Sequence, residues 1–250
     1  MKPTFPKRST QAPHKTRMKT NRRANSKPVT TTYDARTVPA HNGNPGASVF
    51  LMNEAPGPSE AVAGIPSFGQ QGANIFHALR KAGISWAVAH EKFCWPKDGP
   101  LDKSKRHKQK AAFLASRAEH ITCSNSFPRW PKPINKPNGF CPPLEKDVAS
   151  TSNINRIIGE ILPAHRVILV CGARAYYACL GKKIHSPATR EGSELSVEEL
   201  QVLNTRLHSN FEHGWYMGHT RRWTLKAGQT QPALKLIAKH VGWTLETSAC

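Results

Sequence analysis

At 250 residues the chain is long enough for one large domain or two small ones, and its 38% hydrophobic content is low for a wholly globular chain, so part of it is expected to stay outside the core. Lys and Arg outnumber Asp and Glu by 36 to 16, a formal charge of +20 that points to a polyanionic partner, nucleic acid first. No apolar run approaches the ~20 residues of a transmembrane helix, no basic amphipathic helix stands out, and the N-terminus lacks the apolar core of a secretory signal, so the expected setting is cytoplasmic and nucleoid-associated with no membrane partner.

Residues 1–45 read as a disordered basic arm. Nine Lys and Arg precede the first acid, Asp34, and polar residues and prolines fill the gaps. Such a segment cannot bury enough surface to offset its ordering entropy, and it can find phosphates without reading sequence. A single domain is expected over 46–245.

That domain opens on Val49-Phe50-Leu51-Met52, an apolar run that reads as a buried strand. It leads into Asn53-Glu54 and then the Ala55-Pro56-Gly57 turn. Ligands in open α/β sheets sit beyond the carboxyl ends of such strands, which places Glu54 at the mouth of a site. The plainer reading is a solvated turn carboxylate. The loop Gly64-Ile65-Pro66-Ser67-Phe68-Gly69 follows, then a helix over 73–81 with Ile75, Phe76 and Leu79 on one face and Gly83 as its stop. Residues 92–96 suit a short strand. A second basic cluster, with Lys105 and Arg106 at its centre, is either a DNA-facing loop or a solvated helix start, and 111–120 looks helical.

A second core strand over 120–125 ends on Asn125 and gives way to a Pro-rich loop, 127–133. A helix is expected over 145–162, the clearest strand over 166–172, a helix over 173–180 stopped by Gly181, and a polar surface loop around 182–198. A last strand over 215–219 and a last helix over 232–241 complete the reading. Strands alternating with helices predict an α/β fold: a three-layer sandwich around a central, mostly parallel sheet. The six cysteines form no C-x-x-C pair, so a zinc ribbon is not expected and the thiols should be reduced.

Taken in order, Asn53-Glu54-Ala55-Pro56-Gly57, Gly64-Ile65-Pro66-Ser67-Phe68-Gly69, Asn125 with its Pro-rich loop, the Val-Ile-Leu-Val-Cys-Gly-Ala strand-turn and Gly218-His219 resemble the uracil-DNA glycosylase superfamily over roughly residues 47–242. The nearest branch is family 4, the iron–sulfur type, whose first motif reads Gly-Glu-Ala/Pro-Pro-Gly. The resemblance implies that Glu54 handles the sugar cation or the attacking water, that His219 meets the departing base, and that Asn125 reads the base edge. The backbone of Ala55, Pro56 and Gly57 would line the pocket.

The departures from the family pattern carry their own implications. Asn53 replaces the leading glycine and sets an amide side chain beside Glu54, with a shared catalytic role as the expectation. The cluster cysteines are missing, so no iron–sulfur cluster, and no cofactor or metal of any kind, is expected. Ser67 stands where the family has the aromatic that covers uracil, with Phe68 one position on; either the stack is restored by that shift or the pocket takes a larger base. The last motif continues as Thr220-Arg221-Arg222-Trp223, which suggests two arginines on flanking phosphates and a tryptophan filling the gap left by a flipped nucleotide. The expected protein is thus a monomeric DNA glycosylase that excises an altered pyrimidine and leaves an abasic site. Uracil in repair and a bulky modified cytosine, such as glucosylated hydroxymethylcytosine in phage DNA, stand level as substrates. The alternative is a catalytically inactive DNA- or RNA-binding protein on the same fold.

Overall fold

The computed structural model describes residues 31–41, 43–90, 103–133, 141–223 and 227–246. The basic residues 1–30 and the strand expected at 92–96 lie outside them. In chain order the elements are β1 (Thr31–Thr37), β2 (Val49–Asn53), α1 (Pro58–Ala63), α2 (Gln70–Lys81), α3 (Ser85–Val88), α4 (Lys103–His120), β3 (Ile121–Asn125), β4 (Arg129–Pro133), α5 (Glu145–Val148), α6 (Thr151–Glu160), β5 (Val167–Val170), α7 (Ala173–Leu180), α8 (Pro187–Arg190), β6 (Ser193–Glu194), α9 (Val197–Leu207), β7 (His213–Tyr216) and α10 (Ala227–His240).

The central sheet has the order β3-β2-β5-β7-β6. The first four strands run parallel, and only the edge strand β6 is antiparallel to its neighbour. Every residue of β2, β3 and β5 is buried, as expected of strands covered on both faces. Alternation along β2 divides the core: Val49 and Leu51 face Ile75 and Leu79 of α2 and Leu234 and Ile237 of α10. Phe50 and Met52 face Ile154 and Ile157 of α6, Ala175 and Cys179 of α7, and Leu203 of α9. Helices therefore cover both faces, and the α/β three-layer arrangement with a mostly parallel sheet is the observed fold. Among the described residues no helix is long and apolar enough to cross a membrane, and Cys123, Cys141, Cys171 and Cys179 are free thiols.

Several expectations need correction. Residues 31–37 do not belong to an unstructured arm: β1 pairs antiparallel with β4, Thr31 opposite Pro133 and Tyr33 opposite Pro131. The Pro-rich loop is therefore partly a strand. A two-stranded ribbon tolerates its prolines because only one side of each strand must donate to the ladder. The helix expected over 145–162 is broken after Val148 and restarts at Thr151, with Ser150 extended between the two pieces. The polar stretch 182–198 contains α8, the edge strand β6 and the start of α9 rather than loop alone. The last strand lies at His213–Tyr216, two residues earlier than expected, and the last helix begins before Pro232.

Candidate functional site

The carboxyl ends of β2 and β3 carry the site. Past Asn53 and Asn125 the two strands continue to hold each other: the Ser126 N–H donates to the Asn53 carbonyl at 2.7 Å and the Phe127 N–H to the Glu54 carbonyl at 3.2 Å. The Ser126 hydroxyl donates to that same Glu54 carbonyl at 2.5 Å. From α6, Asn153 donates to the Ser126 carbonyl at 2.7 Å and Arg156 to the Asn125 carbonyl at 2.7 Å. The backbone that presents Glu54 is thus fixed from three sides.

The Glu54 side chain is fixed as well. Its Oε1 accepts the Arg174 backbone N–H at 3.0 Å, in the first turn of α7, where unpaired N–H groups and the helix dipole favour an anion. The approach depends on Gly172, whose φ of +101° suits glycine and whose missing Cβ would stand 2.5 Å from Glu54 Oε1. The other carboxylate oxygen, Oε2, lies 4.0 Å from His219 Nε2, with the two side chains 11% and 22% exposed. His219 follows Gly218, whose φ is +63° and whose missing Cβ would run into the buried Glu191 side chain at 2.5 Å. An acid and an imidazole from opposite ends of the domain therefore meet at one place. Glu54 also forms part of the wall of a cavity of about 390 Å³, with Pro142, Ala173, Arg174, Tyr177 and Lys183 among its other lining residues. Next to it Arg174 and Lys183 both pair with Glu145, and these cations hold the Glu145 carboxyl below its usual range. Tyr216 stays a neutral phenol, pushed up by burial and then by the Glu54 and Glu191 carboxylates.

The two strand-end asparagines sit opposite each other in the parallel register, 1% and 0% exposed. Asn53 does not join Glu54. Its Nδ2 donates to Ser67 Oγ at 2.9 Å, and its Oδ1 has no partner. Both side-chain polar atoms of Asn125 lack a partner. Three buried polar atoms left unpaired at strand ends is unusual, since such groups are nearly always satisfied.

Ser67 reaches Asn53 because its loop is strapped down from beneath. Its φ is +54°, a conformation rare for residues with a side chain. Its N–H donates to the buried Glu60 carboxylate, which also accepts the Gly57 N–H at 2.7 Å. Arg117, fully buried on α4, donates to the Pro66 and Ser67 carbonyls at 3.0 and 3.1 Å. Ala55 and Pro56 are buried and Gly57 is partly so, at the head of α1. Phe68 packs against the small cluster of Phe76, Phe113 and Leu114.

The expected DNA contacts divide. Trp223 is not a wedge: it is 1% exposed and packs in the core with Ile75, Trp215 and Leu234. The expectation came from its position after the last motif, where the family carries a wedge, but the turn at Thr220–Arg222 points it inward. Arg222 pairs with Glu191 at 2.8 Å while staying 43% exposed. The Arg221 side chain lies outside the described residues, as do those of Lys105 and Arg106, which fall in the first turn of α4. Sequence reading missed Glu60, Arg117, Ser126, Asn153, Arg156 and Arg174. Two had a signal: Glu60 sits three residues past Gly57 at a helix start, the capping-box position, and Arg117 falls on the Phe113-Leu114-Ala118 face at helical spacing.

The chain matches no protein-family model and no curated protein. The chemistry of the site therefore rests on its own geometry.

Proposed function

We propose that this protein is a DNA glycosylase of the uracil-DNA glycosylase type, which flips an altered pyrimidine out of DNA and cleaves its N-glycosidic bond. The observation that carries the reading is the 4.0 Å approach of Glu54 and His219 at the carboxyl end of the central sheet. Breaking the bond between sugar C1′ and base N1 sends the electron pair to the base and leaves a cation on the sugar. A carboxylate stabilises that cation and accepts a proton from the water that adds to C1′; an imidazole hydrogen-bonds the departing base anion. Fixing both groups beforehand is what makes them effective, and Glu54 is held by Arg174, Gly172 and the Ser126 turn. The unpartnered Asn53 Oδ1 and the unpartnered Asn125 amide suit recognition of a base edge, and the charge of +20 suits a DNA substrate.

The test is direct. Purified protein is incubated with single- and double-stranded DNA carrying uracil, hydroxymethylcytosine or its glucosylated form, and abasic sites are read as alkali-labile breaks. Products are expected with the native chain and a fall of at least about 100-fold with Glu54→Gln or His219→Ala. Salt-sensitive DNA binding with no abasic site on any substrate would replace this reading with that of a binding protein on the same fold.

A further inference from the structure

The Asn53 amide has one orientation with a clear advantage. Its Nδ2 donates to Ser67 Oγ at 2.9 Å and lies 3.5 Å from the Ser124 carbonyl. Turning the amide over would set Oδ1 against that carbonyl, acceptor facing acceptor. Asn53 therefore keeps its N–H₂ within the protein and presents a bare acceptor, Oδ1. Its cross-strand neighbour Asn125 is not so constrained, and both of its polar atoms are unpartnered. Between them the strand ends offer two acceptors and one donor group.

A pyrimidine with a 4-keto group, like uracil, has one ring donor, N3–H, between two acceptors. One with a 4-amino group, like cytosine, has two hydrogens on N4 followed by the acceptors N3 and O2. Asn125 alone can pair with either edge by turning its amide. A second acceptor alongside it finds a hydrogen only on the amino base, where the two N4 hydrogens satisfy both Oδ1 atoms and Asn125 Nδ2 donates to N3. A keto base leaves Asn53 Oδ1 buried and unpaired.

We propose that Asn53, oriented by Ser67 and Ser124, is a specificity-determining residue that selects an altered pyrimidine bearing an exocyclic 4-amino group over its 4-keto counterpart. The inference rests on the glycosylase reading for the identity of the site and deepens it by naming the substrate class. Rejection of unmodified cytosine then falls to the group that alters the base, since the hydrogen bonds of these amides go to N3 and N4, which unmodified cytosine shares.

The test uses matched strands carrying 5-hydroxymethylcytosine or 5-hydroxymethyluracil, which differ at ring position 4, in two readouts: single-turnover excision by the native chain, and equilibrium binding by a Glu54→Gln variant. Both should favour the amino base by about 10- to 100-fold, the cost of one unpaired buried acceptor. Asn53→Ala should abolish the preference. Ser67→Ala, which frees the amide to turn, should weaken it and decides the matter if Asn53→Ala does not fold. Equal or greater use of the keto base by the native chain overturns the proposal, as does a preference that survives both substitutions. If no strand gains abasic sites, the glycosylase reading fails separately, and the binding ratio still decides the role of Asn53.

Discussion

Gly172 is the residue on which the placement of Glu54 turns. The carboxylate lies where a side chain at 172 would be, and the backbone there has a φ that glycine adopts without cost. Gly172→Ala should leave the sheet intact, because β5 ends two residues earlier, at Val170. The added methyl would overlap the Glu54 carboxylate, which must shift from its place on the Arg174 N–H and beside His219. A displacement of about 1 Å at reacting groups can cost on the order of 100-fold in rate. The expected result is therefore a variant destabilised by about 1–3 kcal/mol through backbone strain, but with single-turnover excision per folded molecule reduced about 100-fold. Equal losses of activity and folded fraction would mean that Gly172 serves stability alone. The role of Gly172 was not readable from the chain, since a glycine after a strand suits many turns. What was readable is Glu54 itself, a carboxylate one residue beyond a run of four apolar residues in a strongly basic chain. His219 and Asn125 were reached by motif order and not by any local physical signal. The wedge role given to Trp223 failed because a place just past a motif says little about where an indole points.

At the scale of elements, the site depends on a loop that two helices restrain. Glu60 on α1 ties the Gly57 and Ser67 amides together, and Arg117 on α4 holds the carbonyls of Pro66 and Ser67. Burial pushes the Glu60 carboxyl up to about 7, against two amide hydrogen bonds and the nearby Arg117 charge that favour ionisation. The unfolded chain would ionise this group near 4.5, so in the folded state it holds its proton to higher pH. Its contribution to stability is then fully present below about 4.5 and is lost as pH rises toward 7, with a slope of at most ~1.4 kcal/mol per pH unit. Denaturant titrations between about pH 5 and about pH 8 should show that decline, and Glu60→Gln should flatten it. An unchanged slope in the variant would place the titration on another group. Arg117→Met should cost about 3 kcal/mol or more, because Glu60 loses its nearby countercharge and two carbonyls lose their donors. If that variant melted like the native chain, Arg117 would not be the strap. The elements bearing this network were unevenly legible. Strands β2, β3 and β5 announce themselves as apolar runs. The helix α9 escaped notice although Ser196 and Glu199 form a reciprocal cap at its start, a signature visible in the sequence. The break between α5 and α6 shows only as the polar run Ser150-Thr151-Ser152-Asn153, in which Asn153 turns inward to support the Ser126 turn.

For the whole molecule the governing quantity is charge. Residues 1–30 hold nine of the 36 Lys and Arg and no acid, and β1 begins at Thr31. A cut after residue 30 therefore removes a quarter of the cations without touching the ribbon of β1 and β4, whereas a cut at 45 would remove β1. The two truncations separate electrostatics from fold. If the N-terminal cations contact phosphates, each contact contributes about 0.9 to the slope of log affinity against log salt on duplex DNA and about 0.7 on single strands. The chain lacking 1–30 should bind DNA more weakly at roughly 50 mM salt, approach the native affinity near 200 mM, and keep the same ratio of excision between bases, because phosphate contacts carry no base information. Fluorescence anisotropy across that salt range gives the slope, and single-turnover excision gives the ratio. A slope unchanged by the truncation would assign the phosphate contacts to the folded domain, with Arg222 among the exposed cations near His219 to be examined next. A changed base ratio would mean that the N-terminal residues reach the site itself, and their role would then be recognition of the substrate in addition to attraction toward it.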